Sequence, residues 1–154
     1  MNKKNIILLF CLFHIVFLRS QEKTLSFISD SHLDTQWNWD VKTTIDQYIL
    51  NTMTQNFALF DKYPGFQFNF EGAIHYMWMK EYYPTEYARL KEYIKNGQWH
   101  ISGGAVNASD VMVPSAESII RNFLYGQTHY KKEFGIKGGA IILLTIRIMI
   151  QINM

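Results

Sequence analysis

The chain has 154 residues, which is enough for one domain or for part of a larger one. Hydrophobic residues make up 48% and charged residues 18%, a globular balance that excludes a disordered tail. The formal charge is +2, but the first twenty residues hold Lys3, Lys4 and Arg19 and no acid, and beyond them 12 basic residues face 13 acidic ones. Nucleic-acid binding needs a basic face, so this composition argues against that class of partner.

The N-terminus has the parts of a secretory leader. Lys3 and Lys4 precede an apolar run over residues 6–18, which is followed by polar sequence and is short for a membrane span. We predict a signal peptide over residues 1–20, cleaved after Ser20, and therefore a protein exported to the periplasm or the cell exterior. An uncleaved membrane anchor is the alternative interpretation of the same run.

Cys11 is the only cysteine, and it lies inside this predicted leader. The exported chain would therefore contain no disulfide and no thiolate zinc site. Any metal ion would have to be held by His, Asp or Glu side chains.

Three short runs predict strands, at residues 24–29, 66–70 and 99–102, because they are apolar or alternate apolar with polar residues. The spacing of apolar residues, with Pro and Gly at element ends, predicts helices between and after them. These helices cover residues 41–60, 73–83, 85–96 and the stretch between Pro114-Ser115 and Gly135. The alternation predicts an α/β fold with a parallel sheet.

The apolar spacing of the last predicted helix also indicates which of its residues face inward: Ile119, Ile120, Phe123 and Leu124. Residues 138–154 (GGAIILLTIRIMIQINM) then differ from everything before them, since they contain no aromatic residue and no acid. They form either a buried strand or a segment that has left its original reading frame. Their length and Arg147 argue against a membrane span.

His32 and Asp34 follow the first predicted strand in an H-x-D pattern. Residues two apart in extended chain point to the same side, so an imidazole and a carboxylate converge here, a pair that suits zinc. Parallel α/β sheets also place ligand sites just past the carboxyl ends of their strands. Such a triplet also arises by chance, and a simple capping role for Asp34 is the alternative.

Two tryptophans, Trp37 and Trp39, follow within five residues of Asp34. An indole beside a metal site can stack on the apolar face of a sugar ring. Aromatic residues make up 16% of this chain, and such residues are common in carbohydrate-binding clefts. The alternative is that these rings fill the core, which we favour for Trp39.

Beyond the third predicted strand, Gly103 and Gly104 permit close backbone approach, and Asp110 stands among apolar residues. Asp110 is either a turn residue or an active-site carboxylate, and its local sequence alone favours the turn. Three other histidines are predicted to be structural: His75, His100 and His129.

Several motifs occur together in one order: H-x-D-x-x-W, EYYP, a G-x-W strand running to GG, an Asp seven residues after the first of those glycines, PSxES and FLYGQ. In combination they resemble the N-terminal domain of the family 38 glycoside hydrolases, the retaining α-mannosidases, over about residues 24–137. The resemblance implies that residues 21–137 are the first third or so of a seven-stranded, barrel-like α/β catalytic domain with parallel strands. It implies a zinc cofactor and an α-mannoside glycan as the substrate.

The resemblance also implies a role for each matching residue. His32 and Asp34 match the first two zinc ligands of the family. Asp110 matches the catalytic nucleophile, which also ligates the zinc. Trp37 matches the tryptophan that stacks under the mannose ring.

The segment after residue 137 departs from the family pattern, which continues there with a strand and a P-D-x-F-G motif. The family's acid/base aspartate and its second zinc histidine belong to that missing continuation. We therefore predict a frame disruption near residues 137–140 and a truncated product with little activity of its own.

Three alternatives remain beside that prediction. A polysaccharide deacetylase would need adjacent aspartates and an H-x-x-x-H pattern, and the sequence has neither. An exported, non-catalytic zinc- or sugar-binding remnant would keep the site residues without the reaction. An anchored, aggregation-prone relic would keep neither function.

Overall fold

The computed structural model describes residues 29–108 and 112–136. They form three strands and a series of helical segments in the following order: β1 (Asp30–Ser31), α1 (Val41–Thr43), a π-helical segment (Thr44–Ile49), α2 (Leu50–Lys62), β2 (Phe68–Phe70), α3 (Ala73–Tyr82), α4 (Pro84–Lys95), β3 (Trp99–Ile101) and α5 (Ala116–Phe134). The predicted α/β class is confirmed at this level. The described residues contain three strands of a sheet, and the seven-stranded barrel stays a prediction.

The three strands form one parallel sheet in the order β1-β2-β3. Ser31 is level with Phe70, and Phe70 is level with Ile101, so the three strands end side by side. The residues that follow them therefore meet at one edge of the sheet, as predicted for a parallel α/β fold. The predicted strand at residues 24–29 lies, except for Ser29, outside the described residues, as do the leader and the apolar segment 138–154.

The ends of α5 follow the predicted signals. The Ser115 hydroxyl accepts a hydrogen bond from the Ser118 backbone N–H at 3.2 Å, which caps the first turn. Gly135 ends the helix in the left-handed conformation at φ 71°, where a side chain would be strained. Among the described helices, none is long and apolar enough to cross a membrane.

Aromatic side chains fill much of the core between the sheet and the helices. Trp99 is 1% exposed and packs edge-on against Phe68, with 4.9 Å between the ring centroids. Its indole N–H donates to the Tyr76 hydroxyl at 2.9 Å, and that hydroxyl donates to the Phe70 carbonyl at 2.9 Å. Core filling therefore explains a large part of the aromatic content.

The inward face predicted for α5 is wrong at two positions. Ile120 is 61% exposed and Leu124 is 57% exposed, whereas Gly126 and Tyr130 are buried. Successive residues of an α-helix are turned by about 100° around its axis. Ile120 and Leu124 therefore lie about a third of a turn away from the buried face that carries Gly126 and Tyr130. α5 packs through the face that carries Gly126, because a residue without a side chain lets the backbone of the loop after β3 come close.

Candidate functional site

His32 and Asp34 lie on the loop that follows β1, and their side chains come together. His32 Nε2 is 3.2 Å from Asp34 Oδ1, and the side chains are 41% and 37% exposed. Two atoms that bind one tetrahedral zinc ion, each about 2.0–2.2 Å from it, lie roughly 3.3 Å apart. The pair therefore has the donor chemistry and the separation of two ligands of the same zinc ion.

Glu71 approaches the other side of the same imidazole. Its Oε1 is 3.8 Å from His32 Nδ1, and its side chain is only 17% exposed. Burial raises the pKa of Glu71, and the negative charge of Asp30 adds to that effect, whereas the nearby His32 ring opposes it. Sequence reasoning missed this residue. An acid directly after the second of two neighbouring parallel strands was the available signal, because His32 occupies the same place after the first.

His75 supports the backbone at this edge of the sheet. Its ring is 2% exposed, and its Nδ1 lies 3.0 Å from the carbonyl oxygen of Glu71. Burial lowers the pKa of His75, so the ring is neutral and Nδ1–H is the donor to that carbonyl. A side chain at Gly72 would come within 2.7 Å of the same nitrogen, which explains the glycine there. His75 is a structural residue, as predicted.

The loop that leaves β3 is fixed to two helices. The first backbone N–H groups of α3, at Ala73 and Ile74, donate to the carbonyls of Ala105 and Val106 at 3.1 and 2.9 Å. The Val106 N–H in turn donates to the carbonyl of Asn122 in α5 at 3.0 Å. These bonds satisfy N–H groups at the open N-terminus of α3 and hold the loop backbone at residues 105 and 106.

Asn107 connects this loop to the loop that carries His32 and Asp34. Its side-chain amide donates to the Thr35 hydroxyl at 3.2 Å, and its backbone is held by two hydrogen bonds with the Asn122 side chain at 2.9 and 3.1 Å. Thr35 comes directly after Asp34, and Asn107 precedes Asp110 by three residues. Asp110 itself lies outside the described residues, in the gap between 108 and 112.

The two tryptophans differ in their surroundings. Trp37 is 69% exposed, so its ring is accessible to a ligand. Trp39 is half-buried; its indole N–H donates to the Thr44 hydroxyl at 2.8 Å, and its ring meets that of Tyr48 at a centroid distance of 4.8 Å. These contacts hold Trp39 in place, but it lies outside the buried core cluster, so the prediction that it fills the core is not confirmed. Trp39 also lines an open cleft of about 410 Å³ beside His32.

Zinc requires more donors than this part of the site provides. Within residues 29–108 and 112–136, no three His, Cys, Asp or Glu side chains are grouped so that they could hold one metal ion. The described chain contributes two donors whose chemistry and separation fit zinc, and the third predicted donor, Asp110, lies in the gap between the described ranges.

Comparison with known proteins gives one family and several related enzymes. The family model for the glycosyl hydrolases family 38 N-terminal domain matches residues 22–144. Alpha-mannosidase G of Dictyostelium discoideum is 40% identical over 110 residues, which is 71% of this chain and 10% of that protein. Alpha-mannosidase 2C1 of Homo sapiens is 32% identical over 114 residues, or 74% and 11%, and an alpha-mannosidase of Saccharomyces cerevisiae is 31% identical over 111 residues, or 71% and 10%. The chain thus spans about a tenth of the length of the curated relatives it matches.

Proposed function

This chain belongs to glycoside hydrolase family 38, and we propose that it carries the nucleophile and two of the zinc ligands of a retaining α-mannosidase. The substrate would be a terminal α-mannoside of an oligosaccharide or glycan. His32 and Asp34 would hold the zinc ion together with Asp110, and Trp37 would stack against the apolar face of the sugar. The predicted leader at residues 1–20 would place this chemistry outside the cytoplasm.

Each residue has a distinct task in the proposed reaction. A bound zinc ion would act as a Lewis acid on hydroxyls of the sugar and favour a distorted ring. The Asp110 carboxylate would attack the anomeric carbon as the bond from that carbon to the leaving oxygen breaks, giving a covalent glycosyl-enzyme. A second carboxylic acid protonates the leaving oxygen and then removes a proton from the water that releases mannose with its configuration retained. By the resemblance, that acid lies farther along the family's chain than the segment matched here.

The hydrogen bond between Asn107 and Thr35 is the observation that carries this proposal. It joins two loops that are 72 residues apart in sequence, one with the paired donors His32 and Asp34 and the other leading to Asp110. If the two loops were independent turns, the Asn107 amide and the Thr35 hydroxyl would have no reason to be in contact. Their contact supports the view that the three predicted ligands share one site.

An activated substrate gives the most direct test. General acid assistance contributes about 10²–10⁴-fold to such reactions, so we expect slow hydrolysis of ordinary α-mannosides by the 154-residue chain. A dinitrophenyl α-mannoside needs little assistance, because its leaving group is already stable as an anion. We expect zinc-dependent release of dinitrophenol from this substrate, with α-mannose as the first product seen by proton NMR.

Variants separate the proposed chemistry from background. Asp110→Asn removes the nucleophile and should abolish hydrolysis, whereas Asp46→Asn, at an exposed helical position, serves as the matched control. Release that is unchanged in Asp110→Asn, or a β-configured first product, would refute the proposed mechanism. Zinc or mannose binding without any hydrolysis would favour the exported, non-catalytic remnant instead.

A further inference from the structure

The two nitrogens of the His32 ring face two different carboxylates. Nε2 is 3.2 Å from Asp34, the second proposed zinc ligand, and Nδ1 is 3.8 Å from Glu71. The first contact is along one loop, whereas the second crosses from β1 to β2. The Glu71 carboxylate is therefore placed by the pairing of β1 with β2, whereas Asp34 is placed by the loop that it shares with His32.

The sheet register explains why Glu71 reaches this position. Ser31 pairs with Phe70, so the next residue on each strand, His32 and Glu71, leaves the sheet at the same level. The neighbouring strands of a sheet lie about 4.8 Å apart, which brings side chains at equivalent positions into contact. A shift of one residue in this pairing would separate the two side chains.

The backbone at Glu71 is held in place from the other side. Its carbonyl accepts the hydrogen bond from the buried His75 ring at 3.0 Å, and the next residue, Gly72, turns the chain into α3 at φ 85°. The Glu71 side chain is itself 17% exposed. Removing a carboxylate from water is costly unless a polar partner faces it, and the group that faces this largely covered carboxylate is the His32 ring, whose Nδ1 is 3.8 Å from Oε1.

A histidine that binds a metal through one nitrogen usually donates the N–H of the other to a carboxylate or carbonyl. Since Nε2 shares its side of the ring with Asp34, it is the nitrogen placed to bind zinc, and Nδ1 is left for Glu71. We propose that Glu71 is a positioning residue that accepts the Nδ1–H of His32 and so presents Nε2 to the zinc ion. This inference rests on the proposed function, because it needs the zinc site that His32 and Asp34 would form.

Zinc affinity provides the first test. The purified 154-residue chain is titrated with zinc in competition with a chelator of known affinity, and the same is done for three variants and for His32→Ala, which lacks a proposed ligand. We expect Glu71→Ala to weaken binding by about 10–100-fold, which is the usual effect of losing such a partner. Glu71→Gln, which keeps an acceptor oxygen, should weaken it less. Glu81→Gln, at an exposed position of α3, is the matched control and should bind as the unaltered chain does.

Side-chain nitrogen NMR provides a second test that does not depend on catalysis. In the zinc-loaded chain, His32 should bind the metal through Nε2 and carry its proton on Nδ1. In the metal-free chain, loss of the carboxylate in Glu71→Ala should shift the His32 Nδ1 resonance and leave that of His75, whose partner is a backbone carbonyl, almost unchanged. Circular dichroism establishes that each variant is folded, and Glu71→Gln provides the comparison if Glu71→Ala is not.

The possible results distinguish this inference from the proposed function. Zinc binding that is equal in the unaltered chain and in folded Glu71→Ala would overturn the role of Glu71 and leave the zinc site intact. Loss of binding in Glu71→Gln as complete as in His32→Ala would overturn it too, since Glu71 would then be a direct ligand. If the unaltered chain binds no zinc, the proposed function fails, and the metal-free His32 resonances alone decide whether Glu71 holds the ring.

Discussion

Gly126 offers a sharp test of the packing that positions the loop before Asp110. In a helix interior, replacing Gly by Ala ordinarily stabilises by about 0.5–1 kcal/mol, so the sequence alone predicts a more stable Gly126→Ala variant. The structure predicts the opposite. A Cβ at this position would lie 2.4 Å from the Gly104 carbonyl oxygen and 2.5 Å from the Ala105 carbonyl carbon.

The size of the effect follows from these distances. Ordinary contact begins at 3.4 Å, so the helix and the loop would have to separate by about 1 Å, and the atoms that block the methyl group are backbone atoms that no rotamer change can move. Overpacking of this kind costs about 1–3 kcal/mol. The higher helix propensity of Ala offsets about 0.5–1 kcal/mol of that cost. We therefore expect Gly126→Ala to lower the free energy of unfolding by about 1–2 kcal/mol.

Urea unfolding followed by circular dichroism measures this change directly. With a slope of about 2 kcal/mol per molar urea, in the middle of the usual range of about 1–3, the midpoint should fall by roughly 0.5–1 M. Gly65→Ala is the control, because a Cβ there meets no atom within 4 Å and Gly65 is not among the glycines with a positive φ. A Gly126→Ala variant at least as stable as the unaltered chain would refute the close approach of α5 to the loop after β3.

Three further predictions concern the core, the pH dependence and the metal. Tyr76→Phe removes the hydroxyl that joins Trp99 to the sheet and leaves the buried Trp99 N–H without its partner, so it should lower the free energy of unfolding by about 1–3 kcal/mol, whereas Tyr82→Phe at the surface should cost almost nothing. Ion pairs with Lys80 and Lys91 lower the pKa of Glu133, so the Glu133 carboxylate should contribute roughly 1 kcal/mol to the free energy of unfolding at pH 7. This contribution should be lost as the pH falls below about 4. If the free energies of unfolding of Glu133→Gln and the unaltered chain, plotted against pH, stay parallel down to about pH 3, this expectation is contradicted. Added zinc should raise the thermal midpoint of the unaltered chain and leave that of His32→Ala unchanged; an equal rise in both would show that the zinc binds elsewhere.

Much of the fold could be predicted because its element boundaries are marked by local chemistry. Pro84 begins α4, Ser115 caps α5 and Gly135 ends it, and each of these signals acts within a few residues. Facing directions were harder to predict. Ile120 and Leu124 have the apolar spacing of a buried face, but the side of α5 that packs is chosen by a glycine that lets another backbone come close.

The candidate site shows the same division between local and long-range information. The H-x-D pattern predicted that His32 and Asp34 converge, because both belong to one extended stretch of chain. The contacts of Glu71 and Asn107 could be identified only from the register of β1 with β2 and from a hydrogen bond between distant loops. The position of Glu71 directly after a predicted strand was a sequence signal for it, but its contact with His32, like that of Asn107 with Thr35, depends on how distant segments pair.

These long-range contacts also determine what the site can do. Paired donors on one loop would bind a divalent cation weakly, because nothing fixes the angle between them or the tautomer of the imidazole. Glu71 faces the second nitrogen of His32, and Asn107 ties the loop after β3 to the loop of His32 and Asp34, so the sheet and α5 would contribute to the geometry of the proposed metal site. Weakening the packing at Gly126 should therefore lower zinc affinity although that residue is no ligand, whereas Gly65→Ala should leave zinc affinity unchanged. Equal zinc affinity in folded Gly126→Ala and the unaltered chain would mean that the two loops hold their places without α5.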